Sequence, residues 1–314
     1  MRINLCQLLL STLGLLFLYI QAHADAVPDT NSVTIASWNV RNYLLKDRYL
    51  EGTYRPDYPK PETRKKSLRR QLLEVSPDIL LLQEIGNESF LLELKRDLRA
   101  DGLHYPYDSL LKIQDEPRAL AMLSRIPPQS MLLKNNLDFA YFGKRRRVKR
   151  GLMQLRFEHR GVTWSLLHLH LKSRYQTHPK DPNAAIRRER EARAIRNYLR
   201  EKYPPKKSRH PYLILGDFNA TADQAPLRRF LNVSDTTLAY EIPLSDPYGT
   251  HWTYFHKKSR TYSQVDYALM NPAMKKHKHI RISDARIIPS PEGMPRPSDH
   301  RMILVELSFS DQKE

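Results

Sequence analysis

Six short apolar runs of this chain each adjoin a residue that can bind a metal ion or transfer a proton. The six junctions are Ser37-Trp38-Asn39, Leu82-Gln83-Glu84, His168-Leu169-His170, Gly216-Asp217-Phe218-Asn219, Gln264-Val265-Asp266 and Ser298-Asp299-His300. Each run has the length of a buried strand, so its polar residue is expected to emerge at the edge of a sheet. Because strand ends converge at such an edge, the pattern predicts one shared site.

Glu84 and Asn39 offer oxygen atoms of the kind that a hard divalent cation prefers. Glu84 follows an apolar run, where an ionised carboxylate is costly unless it is paired or coordinated. Mg2+ is typically held by one or two carboxylates together with waters and substrate phosphate oxygens, and the Asn39 amide oxygen is a further candidate ligand. For Asn39 alone, a hydrogen bond to a loop backbone is the favoured alternative.

The segment Gly216-Asp217-Phe218-Asn219 is a more specific signal. Glycine permits a sharp turn after a strand, and alternation along an extended segment sends Asp217 and Asn219 to one side and Phe218 into the core. In phosphodiester hydrolysis the carboxylate would orient and deprotonate the attacking water, and the amide would stabilise charge on the phosphoryl oxygens. An ordinary turn built from Asp and Asn is the alternative.

Two histidines complete the candidate chemistry. His300 would serve as a cation or hydrogen-bond donor beside a phosphate if a buried carboxylate held its other ring nitrogen, and Asp266 is the predicted holder. His170 is followed by a basic segment that includes Lys172 and Arg174. His168 lies two residues earlier and faces the same side of a strand, so spacing does not choose between these two imidazoles. A lone strand histidine is more often a satisfied core residue.

Residues 1–24 have the pattern of a secretory signal peptide, and we predict one domain over residues 25–314. Arg2 precedes an apolar run of 13 residues from Leu8 to Ile20, and Ala22-His23-Ala24 is a small-residue cleavage site. The run is shorter than the ~20 residues that cross a bilayer, so no membrane span is expected after cleavage. The single cysteine, Cys6, lies within this segment, which excludes disulfides and thiol catalysis in an exported chain. We expect a monomer that is periplasmic or secreted.

The net charge points to a polyanionic partner. Removal of residues 1–24 takes one arginine from the 52 basic residues and none of the 34 acidic ones, so the net charge falls from +18 to +17. Such an excess attracts nucleic acid, anionic lipid headgroups or a phosphorylated small molecule, and charge alone does not choose among them. The segment Lys144–Arg150 has six basic residues in seven; a solvated loop is an equally favoured interpretation of this run.

Strand-like runs alternate with a few helical ones, which favours two packed sheets flanked by helices over a doubly wound parallel sheet. Helices are predicted at 64–74, 88–100 and 184–203, and strands at 33–39, 78–84, 119–123, 152–157, 162–171, 212–215, 265–270 and 302–309. The stretch from Lys46 to Lys66 has little periodicity, so it is predicted to be a long surface loop.

In their order along the chain, these segments resemble the endonuclease/exonuclease/phosphatase superfamily, which includes deoxyribonuclease I and inositol-polyphosphate 5-phosphatases. The matching segments run from Trp38-Asn39 through Pro77–Glu84, Leu123-Ser124-Arg125, His170–Ser173, Gly216–Asn219 and Val265-Asp266-Tyr267 to Ser298-Asp299-His300. The resemblance implies an α/β fold of the deoxyribonuclease I type, a four-layered sandwich of two mixed, mainly antiparallel sheets flanked by helices. It also implies a Mg2+-dependent phosphoesterase site at one end of the sheets, with Mn2+ or Ca2+ as possible substitutes.

The resemblance assigns a role to each candidate residue. Asn39 and Glu84 match metal ligands, and Asp299 matches a position that helps to hold the metal shell. Asp217 matches the residue that activates water, Asn219 the one that binds the scissile phosphate, and His300 the histidine near the phosphate, with Asp266 as its partner. His170 resembles a histidine near the leaving group, whose family partner is a glutamate; Asp115 and Glu116 are two unaligned candidates for that partner. Arg150 resembles an arginine aimed at a phosphate, and Lys172 and Arg174 are further predicted substrate contacts.

Two enzymatic functions and one non-enzymatic function follow from these residues. The first is an exported Mg2+-dependent nuclease that cleaves DNA, with RNA as a second substrate. The second is a phosphodiesterase or phosphatase acting on a phospholipid headgroup or inositol phosphate. Such an enzyme would need an apolar membrane-binding hairpin or a dedicated headgroup loop, and the sequence shows no aromatic, apolar hairpin of that kind. The third is a binding protein that has lost catalysis, but every matched acid, amide and histidine is present.

Overall fold

A computed structural model of the protein describes residues 31–233 and 236–311. The predicted signal peptide therefore lies outside the described residues. The strands are β1 (Ser32–Tyr43), β2 (Lys46–Leu50), β3 (Thr53–Tyr58), β4 (Ile79–Ile85), β5 (Tyr107–Leu111), β6 (Ala119–Ser124), β7 (Ser130–Lys134), β8 (Asp138–Tyr141), β9 (Lys144–Arg147), β10 (Leu152–His159), β11 (Val162–His170), β12 (Tyr212–Asp217), β13 (Asn232–Val233), β14 (Thr236–Thr237), β15 (Tyr240–Glu241), β16 (Tyr254–His256), β17 (Thr261–Ser263), β18 (Asp266–Met270), β19 (Ile280–Ile288) and β20 (Met302–Phe309). The helices are α1 (Glu62–Val75), α2 (Glu88–Ala100), α3 (Ala185–Lys202), α4 (Ala225–Leu231) and α5 (Pro272–Lys275).

Two six-stranded sheets organise the described residues. Sheet 1 has the order β19-β20-β1-β4-β6-β5, and sheet 2 has the order β15-β18-β12-β11-β10-β7. Each sheet contains one parallel pair, β1 with β4 and β11 with β12, while its other neighbours are antiparallel. The predicted mixed, mainly antiparallel sheets are therefore present.

Helices connect and cover the parallel pairs. A parallel pair needs a crossover, and α1 lies between β1 and β4 in the chain as α3 lies between β11 and β12. Leucines of α1 and α2 pack on sheet 1 in one core cluster, and apolar residues of α3 and α4 pack on sheet 2 in another. The order of layers is helix, sheet, sheet, helix.

The carboxyl ends of the four parallel strands carry candidate site residues. Asn39, Glu84, His170 and Asp217 lie at or near the carboxyl ends of β1, β4, β11 and β12. These ends meet at one side of the two sheets, which is how distant parts of the chain contribute to one place. Within the described residues, no helix is both long and apolar enough to cross a membrane.

His168 is a core residue between the sheets. Its imidazole is 0 % exposed, and its Nε2 lies 3.0 Å from the carbonyl oxygen of Leu82 in sheet 1. Its Nδ1 lies 3.4 Å from the carbonyl oxygen of Leu215 in its own sheet. The structure thereby resolves the choice that spacing left open, because His168 ties the sheets together while His170 faces the candidate site.

The prediction of a long loop from Lys46 to Lys66 is wrong. Strands β2 and β3 form a hairpin, and α1 already begins at Glu62. The turn residues Glu51 and Gly52 both have positive φ, 51° and 77°, as a two-residue hairpin turn with a right-handed strand twist requires. The signal was missed because the exposed hairpin has few apolar residues, and its Tyr49 and Tyr54 rings pack at 5.8 Å on the surface.

Candidate active site

Pairing in sheet 2 places three titratable residues in one row. His170 on β11 lies opposite Asp217 on β12, and Asp217 lies opposite Asp266 on β18. Side chains directly opposite each other on neighbouring strands are in reach of each other. All three residues are at most 2 % exposed. One imidazole and two carboxylates therefore lie side by side in a poorly hydrated setting.

His300 joins this row from the segment before β20. Its Nδ1 lies 2.9 Å from Oδ2 of Asp266, and its Nε2 lies 3.9 Å from Oδ2 of Asp217. Burial disfavours the charged ring, but the carboxylates of Asp266 and Asp217 outweigh it and raise the pKa of His300 to about 10. The ring is therefore an imidazolium at neutral pH, a fixed positive charge beside Asp217.

Asp217 receives hydrogen bonds from both sheets. Its Oδ2 accepts from Nδ2 of Asn39 at 3.0 Å and lies 3.3 Å from Nε2 of His170, and its Oδ1 accepts from the backbone N–H of Asn219 at 2.8 Å. Burial and then the charge of Asp266 raise the pKa of the Asp217 carboxyl above its ordinary range. A carboxylate that is oriented by donors and has a raised pKa has the properties of a general base at neutral pH.

Gly216 lets β12 deliver Asp217 to this position. Its φ is 149°, and a Cβ atom there would lie 2.0 Å from the carbonyl oxygen of Leu169 on β11. No side chain fits between these two strands. The next apolar residue, Phe218, is 0 % exposed and packs edge-on against Phe230 and Tyr267, in agreement with its predicted place in the core.

Asn219 and Arg150 converge on one carbonyl group. Nδ2 of Asn219 donates to the oxygen of Leu171 at 3.0 Å, and Nη1 of Arg150 donates to the same oxygen at 3.1 Å. Arg150 is only 2 % exposed, and burial together with its charge lowers the pKa of His170 well below the ordinary value. His170 is therefore a neutral imidazole, unlike His300.

Neither acidic candidate upstream of β6 reaches His170. Glu116 is buried, and its carboxylate lies 2.8 Å from Nζ of Lys149 and 3.8 Å from Nε of Arg150. Glu116 thus contacts the arginine whose charge acts on His170, rather than the imidazole itself. The carboxylate nearest His170 among the described ion pairs is Asp217, which lies 3.3 Å from Nε2, while Nδ1 of His170 has no hydrogen-bond partner among the described residues.

The predicted metal ligands border the end of β1. Glu84 has a φ of 65° at an irregularity in the pairing of β4 with β6, and such a bulge re-aims a side chain. Its Oε2 accepts from the backbone N–H of Asn42 at 2.9 Å. Arg41 donates its backbone N–H to Oδ1 of Asn39 at 3.0 Å, and its Nε lies 3.2 Å from Oδ2 of Asp299. Residues 39–42 therefore link all three predicted ligands.

This donor set fits a hard divalent cation. Two carboxylates and one amide oxygen are the ligands that Mg2+ or Ca2+ takes, and the Asn39 amide is fixed with its nitrogen on Asp217 and its oxygen on the opposite side. A second possible set is Asp217, Asp266 and His300, whose ligand atoms lie within 4.8 Å of one another. In this set, Nδ1 of His300 lies 2.9 Å from Oδ2 of Asp266, so an ion bound there would replace that contact.

The predicted substrate-binding residues differ in their exposure. Arg174 is exposed on the loop that follows β11. Lys172 is 1 % exposed, and its Nζ donates to the carbonyl oxygens of Ser173 and Tyr175 at 2.9 and 2.5 Å. Lys172 therefore organises its own loop, and a contact between its ammonium and a substrate phosphate would require these bonds to break.

Sequence reasoning missed three residues that position the site. Glu191 on α3 is 0 % exposed and accepts the backbone N–H groups of Lys172 and Lys149. Thr253 accepts the backbone N–H of Asp266 through its Oγ1 at 3.1 Å. Nζ of Lys60 donates to the carbonyl oxygens of Val40 and Pro297 and so fixes the end of β1 to the loop before His300. The sequence offered one weak signal for these three residues, namely that Glu191 is an acid within a helix rich in arginine.

Comparison with known proteins supports the same fold. The profile of the endonuclease/exonuclease/phosphatase family matches residues 36–300, whereas no curated protein sequence matches the chain. The human Nocturnin catalytic domain with bound sulfate is 16 % identical, with 89 % of this chain and 95 % of that chain covered and a TM-score of 0.62. Humanized D. rerio TDP2 is 15 % identical, with 89 % and 100 % covered and a TM-score of 0.60. Beta toxin from Staphylococcus aureus is 15 % identical, with 87 % and 99 % covered and a TM-score of 0.60. The predicted four-layered fold is confirmed.

Proposed function

The chain belongs to the endonuclease/exonuclease/phosphatase family, whose members are metal-dependent phosphoesterases, and from that premise we propose that it is an exported Mg2+-dependent nuclease. The observation that carries the proposal is the row of His170, Asp217 and Asp266 with His300 bonded to its end. This arrangement holds one neutral imidazole and one imidazolium on either side of a carboxylate of raised pKa. DNA is the preferred substrate in this proposal, RNA is a second one, and the enzyme acts as a monomer.

Asp217 acts as the base in the proposed reaction. It orients a water molecule for in-line attack on phosphorus and takes its proton, while Nδ2 of Asn219 donates to a phosphoryl oxygen. His300, held by Asp266, places positive charge beside the phosphate. His170 lies on the other side of Asp217 and is assigned to the leaving oxygen, to which the N–H of a neutral imidazole can donate a hydrogen bond.

Asn39 and Glu84 would hold the divalent cation, with Asp299 at its outer shell. When bound, the cation supplies Lewis-acid stabilisation of charge on the phosphate. Arg41 and Arg118 already lie beside these acids, with Nε atoms 3.2 Å from Asp299 and 3.5 Å from Glu84. No covalent intermediate is proposed, because the site presents neither a cysteine nor an activated serine as nucleophile.

Charge around the site supports a polynucleotide substrate. The chain carries a net charge of +18, and β9, which is Lys144–Arg147, exposes four consecutive basic residues. Tyr175 is 80 % exposed on the same loop as Arg174 and offers a face for a base. The Tyr254 ring instead packs 4.7 Å from His300, so its first role is to support that histidine.

A lipid or inositol phosphate substrate has less support. The hairpin of β16 and β17 lies beside His300 through the pairing of Tyr254 with that residue. Its turn carries Lys257, Lys258 and Arg260, so it does not have the apolar tip of a membrane-inserting hairpin. A basic tip of this kind can contact the phosphates of a nucleic acid.

A substrate panel tests the proposed function. Supercoiled plasmid, labelled single-stranded DNA, double-stranded DNA, RNA and a phospholipid or inositol phosphate are each incubated with Mg2+ and with EDTA. We expect cleavage of DNA with Mg2+, no cleavage with EDTA, and none by the Asp217→Asn variant. Hydrolysis of the lipid or inositol phosphate without cleavage of any polynucleotide would favour the second function, a phosphodiesterase or phosphatase acting on such phosphates, over a nuclease.

Localisation is a separate part of the proposal. Export rests on the predicted signal peptide, residues 1–24, and the panel above does not address it. Expression of the full chain with fractionation into cytoplasm, periplasm and medium tests it, with N-terminal sequencing of the product. A chain that starts at Asp25 and lies outside the cytoplasm is expected, and an uncleaved cytoplasmic chain would overturn export while leaving the nuclease intact.

A further inference from the structure

A small basic cavity lies beside the predicted metal ligands. It has a volume of 290 Å³, just below the roughly 300–1,000 Å³ of pockets that hold drug-sized molecules. Three elements surround it, namely the end of β1, the β2–β3 hairpin with the start of α1, and the β16–β17 hairpin. The charged residues of its wall are Arg41, Lys46, Asp47, Arg48, Lys60, Arg64 and Lys257. Six basic side chains therefore line the cavity together with one acid.

Three of these cations are not neutralised within the protein. Among the residues that the structure describes, no carboxylate lies within 4.0 Å of the side chains of Lys46, Arg64 or Lys257. Arg48 and Lys60 differ, because their side chains donate to backbone carbonyl oxygens and so build the wall. Lys46, Arg64 and Lys257 come from three different elements and remain available to an anion.

The cations of the wall repel one another. Burial, then the charge of Arg118 outside the wall and that of Arg48 within it, lower the pKa of Lys46, and Glu84 opposes this shift. Burial and then the charge of Arg41 lower the pKa of Arg64, and Asp299 opposes this shift. A cluster of like charges in a partly buried cavity costs free energy unless an anion compensates it. The cavity thus has the electrostatics of a phosphate site.

The cavity shares wall residues with the candidate active site. Asn42 lines it and donates its backbone N–H to Glu84, and Arg41 lines it while its Nε pairs with Asp299. A phosphate in the cavity would therefore lie next to the phosphate that the metal ligands serve. By contrast, a basic cavity of 540 Å³ lined by Lys206 and Arg209 lies near Tyr212, at the start of β12 and away from Asp217.

We propose that this cavity is a second phosphate-binding subsite, which holds the phosphate adjacent to the one being hydrolysed through Lys46, Arg64 and Lys257. The inference rests on the proposed function and narrows it, because the preferred substrate then carries two neighbouring phosphates. The second phosphate is either an internal phosphodiester of a polynucleotide or a terminal phosphate monoester. Both present the same anionic oxygens to the three cations.

Three short substrates separate these sources. A dinucleotide with one phosphodiester and no terminal phosphate is the single-phosphate reference. The same dinucleotide with a terminal phosphate, at the 5′ or the 3′ end, tests the monoester, and a trinucleotide without terminal phosphates tests the internal diester. The variants are Lys46→Gln, Arg64→Gln and their combination, and Lys206→Gln at the other basic cavity is the matched control.

The measured quantity is the KM for each two-phosphate substrate divided by the KM for the reference, in Mg2+. We expect this ratio to rise at least about tenfold in the double variant, since tenfold corresponds to ~1.4 kcal/mol and each lost charge-assisted hydrogen bond is worth at least that much. The ratio should stay at the wild-type value in Lys206→Gln. A rise for the phosphorylated dinucleotide alone identifies a terminal monoester, and a rise for the trinucleotide identifies an internal diester. An unchanged ratio for both would overturn the subsite.

A binding measurement keeps the two proposals distinguishable. If the wild-type protein cleaves none of the three substrates with Mg2+, the proposed nuclease fails. Calorimetric titration of inorganic phosphate in EDTA then tests the cavity directly. The wild-type protein and Lys206→Gln should bind phosphate alike, with a Kd about tenfold higher in the Lys46→Gln, Arg64→Gln double variant. Equal binding by all three proteins would refute the subsite.

Discussion

At the scale of single residues, Asp217 is the residue through which the candidate site residues of the two sheets contact one another. It accepts a hydrogen bond from Asn39 of sheet 1 and lies in a row with His170 and Asp266 of sheet 2. The two histidines differ in charge state, because burial and the charge of Arg150 lower the pKa of His170, whereas the carboxylates of Asp266 and Asp217 outweigh burial at His300. One carboxylate thus lies near a neutral hydrogen-bond donor, His170, and a cation, His300.

Replacement of Asp217 by asparagine should remove the base without removing its shape. We expect kcat on DNA to fall by about 100-fold or more, the usual contribution of general base catalysis, with a nearly unchanged Kd for DNA in a gel-shift titration. Asp223→Asn is the control, because Asp223 is exposed on the same loop and bonds only locally, to Thr221. Full turnover by Asp217→Asn would remove this residue from the proposed role.

Replacement of Glu84 by glutamine should weaken metal binding and leave the base, Asp217, intact. The side chain keeps an oxygen but loses the negative charge that a divalent cation requires most. We expect the Mg2+ concentration for half-maximal activity to rise at least about tenfold, a loss of ~1.4 kcal/mol, with activity partly restored at high Mg2+. The exposed Glu74, which pairs with Arg70 on α1, gives the control Glu74→Gln. The same Mg2+ dependence in both variants would contradict ligation by Glu84.

The sequence was most informative where a residue's type and its strand junction agreed. Asp217, Asp266 and His300 were found because a polar residue at the edge of an apolar run is unusual, and the structure brings them together. Glu191 and Lys60 were not found, because their partners are backbone N–H and carbonyl groups of other segments. Such contacts depend on how the loops fold back, and no local pattern records them.

At the scale of elements, the site depends on how closely β11 and β12 approach. Gly216 faces the backbone of Leu169 with no space for a side chain. The residue after it is Asp217, so any separation of the two strands moves the carboxylate away from His170. The close packing of the backbone at Gly216 therefore helps to set the position of the Asp217 carboxylate.

Gly216→Ala should destabilise the protein and reduce its activity. A Cβ atom 2.0 Å from a backbone oxygen cannot be accommodated without strand displacement, and overpacking of this kind costs ~1–3 kcal/mol or more. Chemical denaturation measures the loss. Gly102→Ala is the matched control, because Gly102 also has positive φ, 97°, but nothing lies within 4 Å of its added Cβ. An equal loss in both variants would show that backbone conformation, rather than the close approach, explains the effect.

His168 should make the packing of the two sheets sensitive to acid. Burial lowers its pKa to about 4, against the opposing effect of its two carbonyl contacts. Between its ordinary pKa of about 6.5 and pH 4, the unfolded chain binds the proton more readily than the folded one, so stability falls as the pH falls through this window. The loss amounts to about 3 kcal/mol over the full window.

Denaturation at a series of pH values checks this prediction. The His168→Gln variant, which does not titrate there, should show a smaller decline in unfolding free energy between pH 6.5 and 4 than the wild-type protein. The exposed His256 provides the control variant His256→Gln, which should decline as the wild-type protein does. Identical slopes in wild type and His168→Gln would contradict a neutral, buried His168.

Element prediction succeeded for the buried strands and the longer helices, and it failed for exposed hairpins. The predicted helix at 88–100 has the observed bounds of α2, and the helix at 184–203 differs from α3 by one residue at each end. The β2–β3 and β8–β9 hairpins were not predicted as strands, because their residues are mostly polar and exposed. Their pairing comes from turns and cross-strand contacts, which leave little periodic signal.

At the scale of the whole molecule, the candidate site is assembled only when the two sheets pack, because each sheet contributes part of its residues. Sheet 1 brings Asn39 and Glu84, sheet 2 brings His170, Asp217 and Asp266, and each sheet presents them at the carboxyl ends of its own parallel pair or beside it. In the proposed mechanism, sheet 1 provides the metal ligands and sheet 2 provides the base. The fold, rather than any single motif, therefore generates the activity.

Coupling between the two sheets tests this claim most directly. The measurement is kcat/KM for a p-nitrophenyl phosphodiester with Mg2+, in the wild-type protein, Asp217→Asn, Glu84→Gln and the double variant. Residues that act as a unit are strongly non-additive, so the double variant should lose about as much activity as Asp217→Asn alone. Losses that multiply in the double variant, or wild-type activity in either single variant, would contradict one shared phosphoesterase site.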